Sequence, residues 1–510
     1  MKIKNYLTSP FFVVFLILIV TRILKVVFAA SLEVDEGGEL LVARHIVKFG
    51  EYPLIGHHCS GTNLFYSFNY FYFLALLTAI FDNPYFIFLC MAIFNICAGF
   101  FLYKTVQLLI NKKVGLLVLL FYTFSPQFII SANVWPAYIG TMFCLISFYF
   151  LVAFNKFKKK LYFLIHLGLF SFACTVQVTQ LVWIPFAAIY ITLSLGNYKV
   201  REGFSFFIEV FKYLSIYIIS FFILNLNQFL YYKFSLVQIF GLNNINSPQI
   251  SFFSALQALI YRFIRDALGI EYSFIPLLLY LLLLCVFFYR KRARKTEVVI
   301  LSGLILSIMF FFNTISRGKI FSHHLLILHI PFFVQIAIMI DSISNIYKIN
   351  WKWNYTLFWV VISLIAVSGR LLLQKDKMAF PYNSLREIEQ ASISINGILS
   401  NTAEYGFIQN SPMINESFFP SPEFIYFIER INGKKMVSIK SGVQFYTTIK
   451  NKPFQYLICR KYWEHPYKHN VDICLKAFTS QYINYTFMKQ VFRSSNIEIF
   501  LFKNRVNINI

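Results

Sequence analysis

Apolar runs of nearly bilayer length recur from residue 11 to residue 373, a pattern that a soluble core does not use. The first extends from Phe11 to Ala30. Others cover 62–80, 84–103, 114–131, 137–154, 161–175, 178–196, 207–230, 270–288, 297–314, 323–342 and 355–373. A transmembrane helix needs about 20 predominantly apolar residues. Charge is correspondingly scarce, at 13% of residues against about 25% in soluble domains. With a mean hydropathy of +0.63, this excludes an ordinary soluble enzyme and a disordered chain. The net charge of +24 does not signal nucleic acid. The Lys and Arg residues lie in short clusters between apolar runs, not on one polar face.

Phe11–Ala30 follows a basic N-terminus but carries Arg22 and Lys25 and lacks a small-x-small cleavage site, so it reads as a retained first span. Taken at face value, the runs make twelve spans. The basic loops at Lys112-Lys113 and at Lys156, Lys158, Lys159 and Lys160 would then face outside, against the positive-inside rule. The 62–80 run is rich in aromatic and polar residues, like an interfacial helix. Laying it in the interface leaves eleven spans, with the N-terminus cytoplasmic and the C-terminus outside. The cytoplasmic segments then hold 18 Lys and Arg, and the short outer loops hold seven.

Beyond Gln374 the composition turns polar. The reading is an all-α membrane domain over 1–375, with a first extracytoplasmic loop at 31–83. A small extracytoplasmic α/β domain follows over 376–510. In it, 384–400 and 421–431 look helical, and 436–440, 454–460 and 496–502 look like strands. Cys459 and Cys474 share this polar region, and their pairing is left open.

The stretch richest in chemistry lies just past the first span: Glu33-Val34-Asp35-Glu36-Gly37-Gly38-Glu39, then Arg44, His45, Gly50 and Pro53. Leu40, Leu41, Ala43, Ile46 and Val47 give a short amphipathic helix from about 36 to 49, with Asp35 as its N-cap and Gly50 as its stop. From spacing alone, this is either a capped, solvated acidic turn or a catalytic carboxylate.

An Asp-Glu pair directly after the first span, a short helix with Ala43-Arg44, and Gly50-x-Tyr52-Pro53-Leu54 resemble the GT-C glycosyltransferases. The likeness is strongest to the protein O-mannosyltransferase and aminoarabinose-transferase group. Asn69–Leu77 resembles the second juxtamembrane helix of that group. Phe124-Ser125-Pro126 resembles its Ser-Pro in the third span, and Ser322–Pro331 its late span. The similarity covers about 1–342.

The resemblance implies an inverting transfer of sugar from a polyprenyl-phosphate donor to a hydroxyl acceptor on the outer face. Asp35 would be the general base and Glu36 its neighbour. Crowding by Glu33, Glu36 and Glu39 would raise the carboxylate pKa values. The leaving lipid phosphate is an anion that needs cations more than an acid. The candidates are Arg262, Arg265, Arg317, Lys319, His323 and His324. Glu39, Arg44, His57, His58, Asn133 and Tyr138 are candidates for lining the acceptor cavity. Arg22 and Lys25 are expected to reach the outer interface or the cavity. The partners expected are the lipid-linked donor, membrane lipids, and a lipid, glycan or protein acceptor, with no nucleic acid.

Two departures bear on cofactors. Family members carry Lys-Pro-Pro or His-Pro-Pro where this chain has His57-His58-Cys59, and a second acidic residue where it has Ser131–Tyr138. No cofactor is expected: a divalent cation, for which His57 and His58 with Asp35 would be the ligands to consider, finds no support in a second carboxylate on the other loop. Two other readings stay open. One is a flippase for lipid-linked glycan intermediates, which would want ionisable residues at mid-membrane. The other is a non-catalytic glycan-binding relative.

Overall fold

The structure is a computed structural model. It describes residues 9–32, 34–53, 67–177, 180–181, 183–195, 203–231, 330, 333–334, 337–338, 341, 384–397, 405–409, 422–435, 456–462, 485–493 and 497–504. The spans expected at 270–288, 297–314 and 355–373, and the strand expected at 436–440, lie outside them. The chain divides into two compact units.

The first unit takes in 1–28, 59–69 and 88–368. Its helices are α1 (Pro10–Ala29), most of α4 (Pro84–Leu109), α5 (Lys112–Phe124), α6 (Pro126–Ile130), α7 (Pro136–Phe157), α8 (Lys160–Val176), α9 (Trp183–Leu195), α10 (Gly203–Leu224) and α11 (Leu226–Tyr231). Among the described residues, α1, α4 and α7 are long and apolar enough to cross a membrane. On α1 the two faces separate cleanly. Val14, Leu18, Arg22 and Val26 are buried at four-residue spacing, while Phe12, Leu16, Val20 and Leu24 are exposed, as a helix facing lipid on one side requires. Close helix approach is set by small residues. A side-chain carbon at Gly99 would lie 2.8 Å from Leu18, and one at Gly140 would lie 2.7 Å from Gln177.

Phe124-Ser125-Pro126 breaks one apolar run into α5 and α6. Ser125 is extended, as a residue before proline prefers. Pro126 has no N–H to give the Tyr122 carbonyl four residues back. Arg22 replaces it. Its guanidinium donates to the carbonyls of Tyr122 and Thr123, both at 3.0 Å, and to Asn95 Oδ1 at 2.8 Å. Asn95 in turn donates to the Phe128 carbonyl (3.0 Å) and Ser131 Oγ (2.8 Å). Arg22 therefore does not reach an interface or a cavity. It is fully buried, and it completes the hydrogen bonding of a proline break in a place that water cannot serve.

Replacing Arg22 with Leu should orphan these acceptors at roughly 1–3 kcal/mol each. Arg22→Lys keeps the charge but not the fork. Both variants are expected to lower the melting temperature of the detergent-purified protein, and Arg22→Leu by more. An unchanged melting temperature in Arg22→Leu would refute this role.

The second unit takes in 29–58, 70–87 and 369–510. Among the described residues it holds α2 (Val34–Phe49), nearly all of α3 (Asn69–Ile80), α12 (Leu385–Asn396), α13 (Pro422–Asn432) and four strands. The strands are β1 (Tyr405–Gln409), β2 (Tyr456–Tyr462), β3 (Tyr485–Arg493) and β4 (Ile497–Asn504), in sheet order β1-β2-β4-β3. β1 pairs parallel with β2, and β4 pairs antiparallel with β2 and β3. α12 opens on a capping box, Ser384 with Glu387, which satisfies two otherwise unpaired N–H groups. α3 has 12 residues, about 18 Å, too short to span a hydrocarbon core of about 30 Å.

Candidate functional site

The candidate site is built on α2. The sequence places Asp35 at the cap of a helix starting near 36. The structure starts the helix at Val34, so Asp35 occupies its first turn, where the helix dipole favours a carboxylate. The helix is not solvated on its polar face. Every residue from Glu36 to Ile46 is buried, with Glu36 and Glu39 each 2% exposed and His45 fully enclosed. Such a helix needs polar partners, because unpaired charge is not buried.

Those partners come from α3, from the 81–83 turn and from the C-terminal segment. Tyr70 of α3 donates its hydroxyl to Glu39 Oε2 at 3.1 Å. Burial, and then the charge of Glu39, holds the Tyr70 hydroxyl well above its usual range, so it remains a donor. Arg44 forms an ion pair with Asp82, and its Nη2 donates to the Glu429 carbonyl at 3.3 Å. Burial pulls the Arg44 guanidinium below its usual value, against the opposing pull of Tyr426 and Glu429. Arg430 donates to the Asp82 carbonyl (3.1 Å) and to Glu389 Oε1 (3.3 Å). Burial pushes the Tyr426 hydroxyl up to about 12, and this hydroxyl lies 3.5 Å from Asp82 Oδ1.

His45 sits between two carboxylates. Its Nδ1 lies 2.8 Å from Glu51 Oε2 and its Nε2 lies 2.8 Å from Glu429 Oε2. The first contact depends on Gly50, whose φ of +63° is readily adopted only by glycine and turns the chain back toward His45. Lys435 bonds the other oxygen of Glu51. Gly433, at φ +66°, ends α13 just before that lysine.

Among the proposed site residues, the structure encloses Glu36, Glu39 and Arg44 together in the second unit. Asn133 and Tyr138 are buried in the first unit, at the turn before α7 and in its first turn. His57, His58, Arg262, Arg265, Arg317, Lys319, His323 and His324 lie outside the described residues. The residues that sequence reasoning missed are His45, Glu51, Asp82, Glu429 and Lys435. For His45 and Glu429 the visible signal is that α2 and α13 carry ionisable residues among apolar ones; Glu51, Asp82 and Lys435 lie in turns beyond helix ends and carry no such signal. Among the described residues, no group of three or more His, Cys, Asp and Glu is placed to hold a metal ion.

Residues 67–225 match the family model described as dolichyl-phosphate-mannose-protein mannosyltransferase. Over 99% of its length the chain superposes on 98% of ArnT from Cupriavidus metallidurans, crystallised with undecaprenyl phosphate. The TM-score is 0.57 and the identity 11%. The chain has a GT-C glycosyltransferase fold. The archaeal oligosaccharyltransferase AglB from Archaeoglobus fulgidus, in complex with an inhibitory peptide and a dolichol-phosphate, aligns over 88% of this chain and 69% of its own. Its TM-score is 0.45 and its identity 11%. No curated protein sequence matches the chain. The stretch matched by the family model contains two motifs of the GT-C resemblance, Asn69–Leu77 and Phe124-Ser125-Pro126, but not Glu33–Leu54 or Ser322–Pro331.

Proposed function

We propose that this chain transfers a sugar from a polyprenyl-phosphate donor to a hydroxyl acceptor at the extracytoplasmic face of the plasma membrane, with inversion. In this reading the chain crosses the membrane eleven times, and the Lys and Arg of its loops orient the N-terminus to the cytoplasm. The observation that carries the reading is the likeness to ArnT along nearly the whole of both chains, since the ArnT crystal structure holds undecaprenyl phosphate. The acidic helix directly after the first span supports it from the side of the chemistry.

In the step proposed, Asp35 takes the proton of the acceptor hydroxyl as that oxygen attacks the anomeric carbon. The bond from the anomeric carbon to the phosphate oxygen breaks, and polyprenyl phosphate leaves as an anion. Arg262, Arg265, Arg317, Lys319, His323 and His324 are the cations assigned to that anion. Glu36 positions the acceptor.

The test is transfer by the full chain in proteoliposomes, supplied with labelled sugar on undecaprenyl phosphate or on a nucleotide, with a crude envelope extract as acceptor source. Label should reach acceptor from the lipid-linked donor and not from the nucleotide sugar. Equal use of the nucleotide sugar, or no transfer from any lipid-linked sugar, would refute the proposal.

A further inference from the structure

We infer that the C-terminal segment clamps helix α2 through the chain Lys435–Glu51–His45–Glu429 and so fixes where Asp35 stands, making His45 and Glu429 positioning residues for the transfer. The inference rests on the function proposed above for Asp35.

Ser384, Leu385, Glu423 and Glu429 hold α2 along its length. Just before the helix, the Ala30 carbonyl accepts from the Leu385 N–H at 2.9 Å, and Ser31 bridges Ser384. Near its start, Gly37 lies so close to Glu423 that a side-chain carbon would fall 2.5 Å from the Glu423 Cα. In its last turns, Arg44 meets the Glu429 carbonyl and His45 meets the Glu429 carboxylate. A 16-residue helix is about 24 Å long and moves as a rod. Asp35 and His45 are about 15 Å apart along it. Any tilt allowed at His45 is therefore transmitted to the first turn.

The chemistry of the clamp suits orientation more than adhesion. Buried ion pairs can often be replaced by apolar packing with no loss of stability. Here both ring nitrogens of a fully enclosed histidine meet carboxylate oxygens at 2.8 Å, and one of those carboxylates is also held by Lys435. Such contacts are satisfied in a single arrangement of α2 against α13, whereas apolar contacts would tolerate sliding. A displacement of about 1 Å at a reacting group can slow a reaction roughly 10²-fold.

The experiment uses the full chain in proteoliposomes, with Glu429→Ala, Glu429→Gln and Lys435→Met. Two quantities are read: steady-state transfer from a lipid-linked sugar, and hydrogen exchange of residues 34–49. Glu429→Ala is expected to lower kcat by about 10–100-fold, with donor KM within about twofold, and to speed exchange across 34–49. Glu429→Gln keeps a hydrogen-bonding partner for His45 and should restore both readings to within a few fold. Lys435→Met acts at the partly exposed end of this run of contacts and leaves Glu51 its contact with His45. It should speed exchange and lower kcat by a smaller factor, and it decides the matter if Glu429→Ala does not fold. Unchanged exchange in 34–49 would overturn the clamp, as would a loss in Glu429→Gln equal to that in Glu429→Ala, or a rise in KM with kcat intact. If the wild-type chain transfers no sugar, it is the proposed function that fails, and the exchange measurement then decides the clamp alone.

Discussion

Asp35→Asn is expected to lower kcat for sugar transfer by about 10²–10⁴-fold, the range that a positioned general base supplies. The amide has the shape of the carboxylate and can still accept a hydrogen bond from the acceptor hydroxyl. It cannot take that hydroxyl's proton, so the loss should fall on kcat and leave donor KM near the wild-type value. The fold should survive. Asp35 lies in the first turn of α2, where asparagine keeps the shape of aspartate and the interaction of a carboxylate with the helix dipole is worth about 0.3–1 kcal/mol. Loss of activity and loss of protein are thus separable by comparing transfer rates at matched levels of membrane-inserted protein. Asp35→Glu should recover part of the rate, because it restores the base one methylene away from its place. Transfer by Asp35→Asn at the wild-type rate would remove Asp35 from the mechanism.

What the sequence makes legible here is local. The acidic turn after the first span, the helix that follows and the stop at Gly50 can be read from a dozen neighbouring residues, because capping, periodicity and the left-handed glycine are short-range effects. The break at Ser125-Pro126 is also short-range in origin, yet the apolar run at 114–131 reads straight through it. The donor that heals it is not legible, since Arg22 lies 100 residues before the Tyr122 carbonyl that it serves. The largest misreading concerns the polar face of α2. Alternation with Leu40, Leu41, Ala43 and Ile46 suggests an amphipathic helix with one wet side. Instead that side is dry: Tyr70 meets Glu39, Asp82 meets Arg44, and Glu429 on α13 meets both Arg44 and His45. Hydrophobic periodicity shows which face differs from the other. It does not show whether the polar face meets water or a polar partner 384 residues away.

Gly37→Ala is expected to destabilise the protein severely, although alanine is the better helix former. Intrinsic propensity favours the substitution by about 1 kcal/mol in a helix interior. The site reverses that sign. The added carbon would lie 2.5 Å from the Cα of Glu423 and 2.6 Å from its backbone nitrogen and Cβ. No rotamer change relieves contact with a backbone. The helices α2 and α13 must therefore separate by several tenths of an ångström or more. Overpacking of this kind costs about 1–3 kcal/mol. The same separation also stretches the contacts of Arg44 and His45 to Glu429, the first of which is already 3.3 Å long. Leaving a buried charge unpaired adds to the penalty. The measurable outcome is a clear fall in melting temperature and in the yield of folded protein, with faster hydrogen exchange in 34–49 and 422–432. Gly168→Ala in α8 is the matched control. It is also a helical glycine, but nothing lies within 4 Å of the carbon it would add. There the propensity term acts alone, and stability should hold or rise. If Gly37→Ala behaves like Gly168→Ala, the close approach of α2 to α13 is not the feature that holds this helix in place.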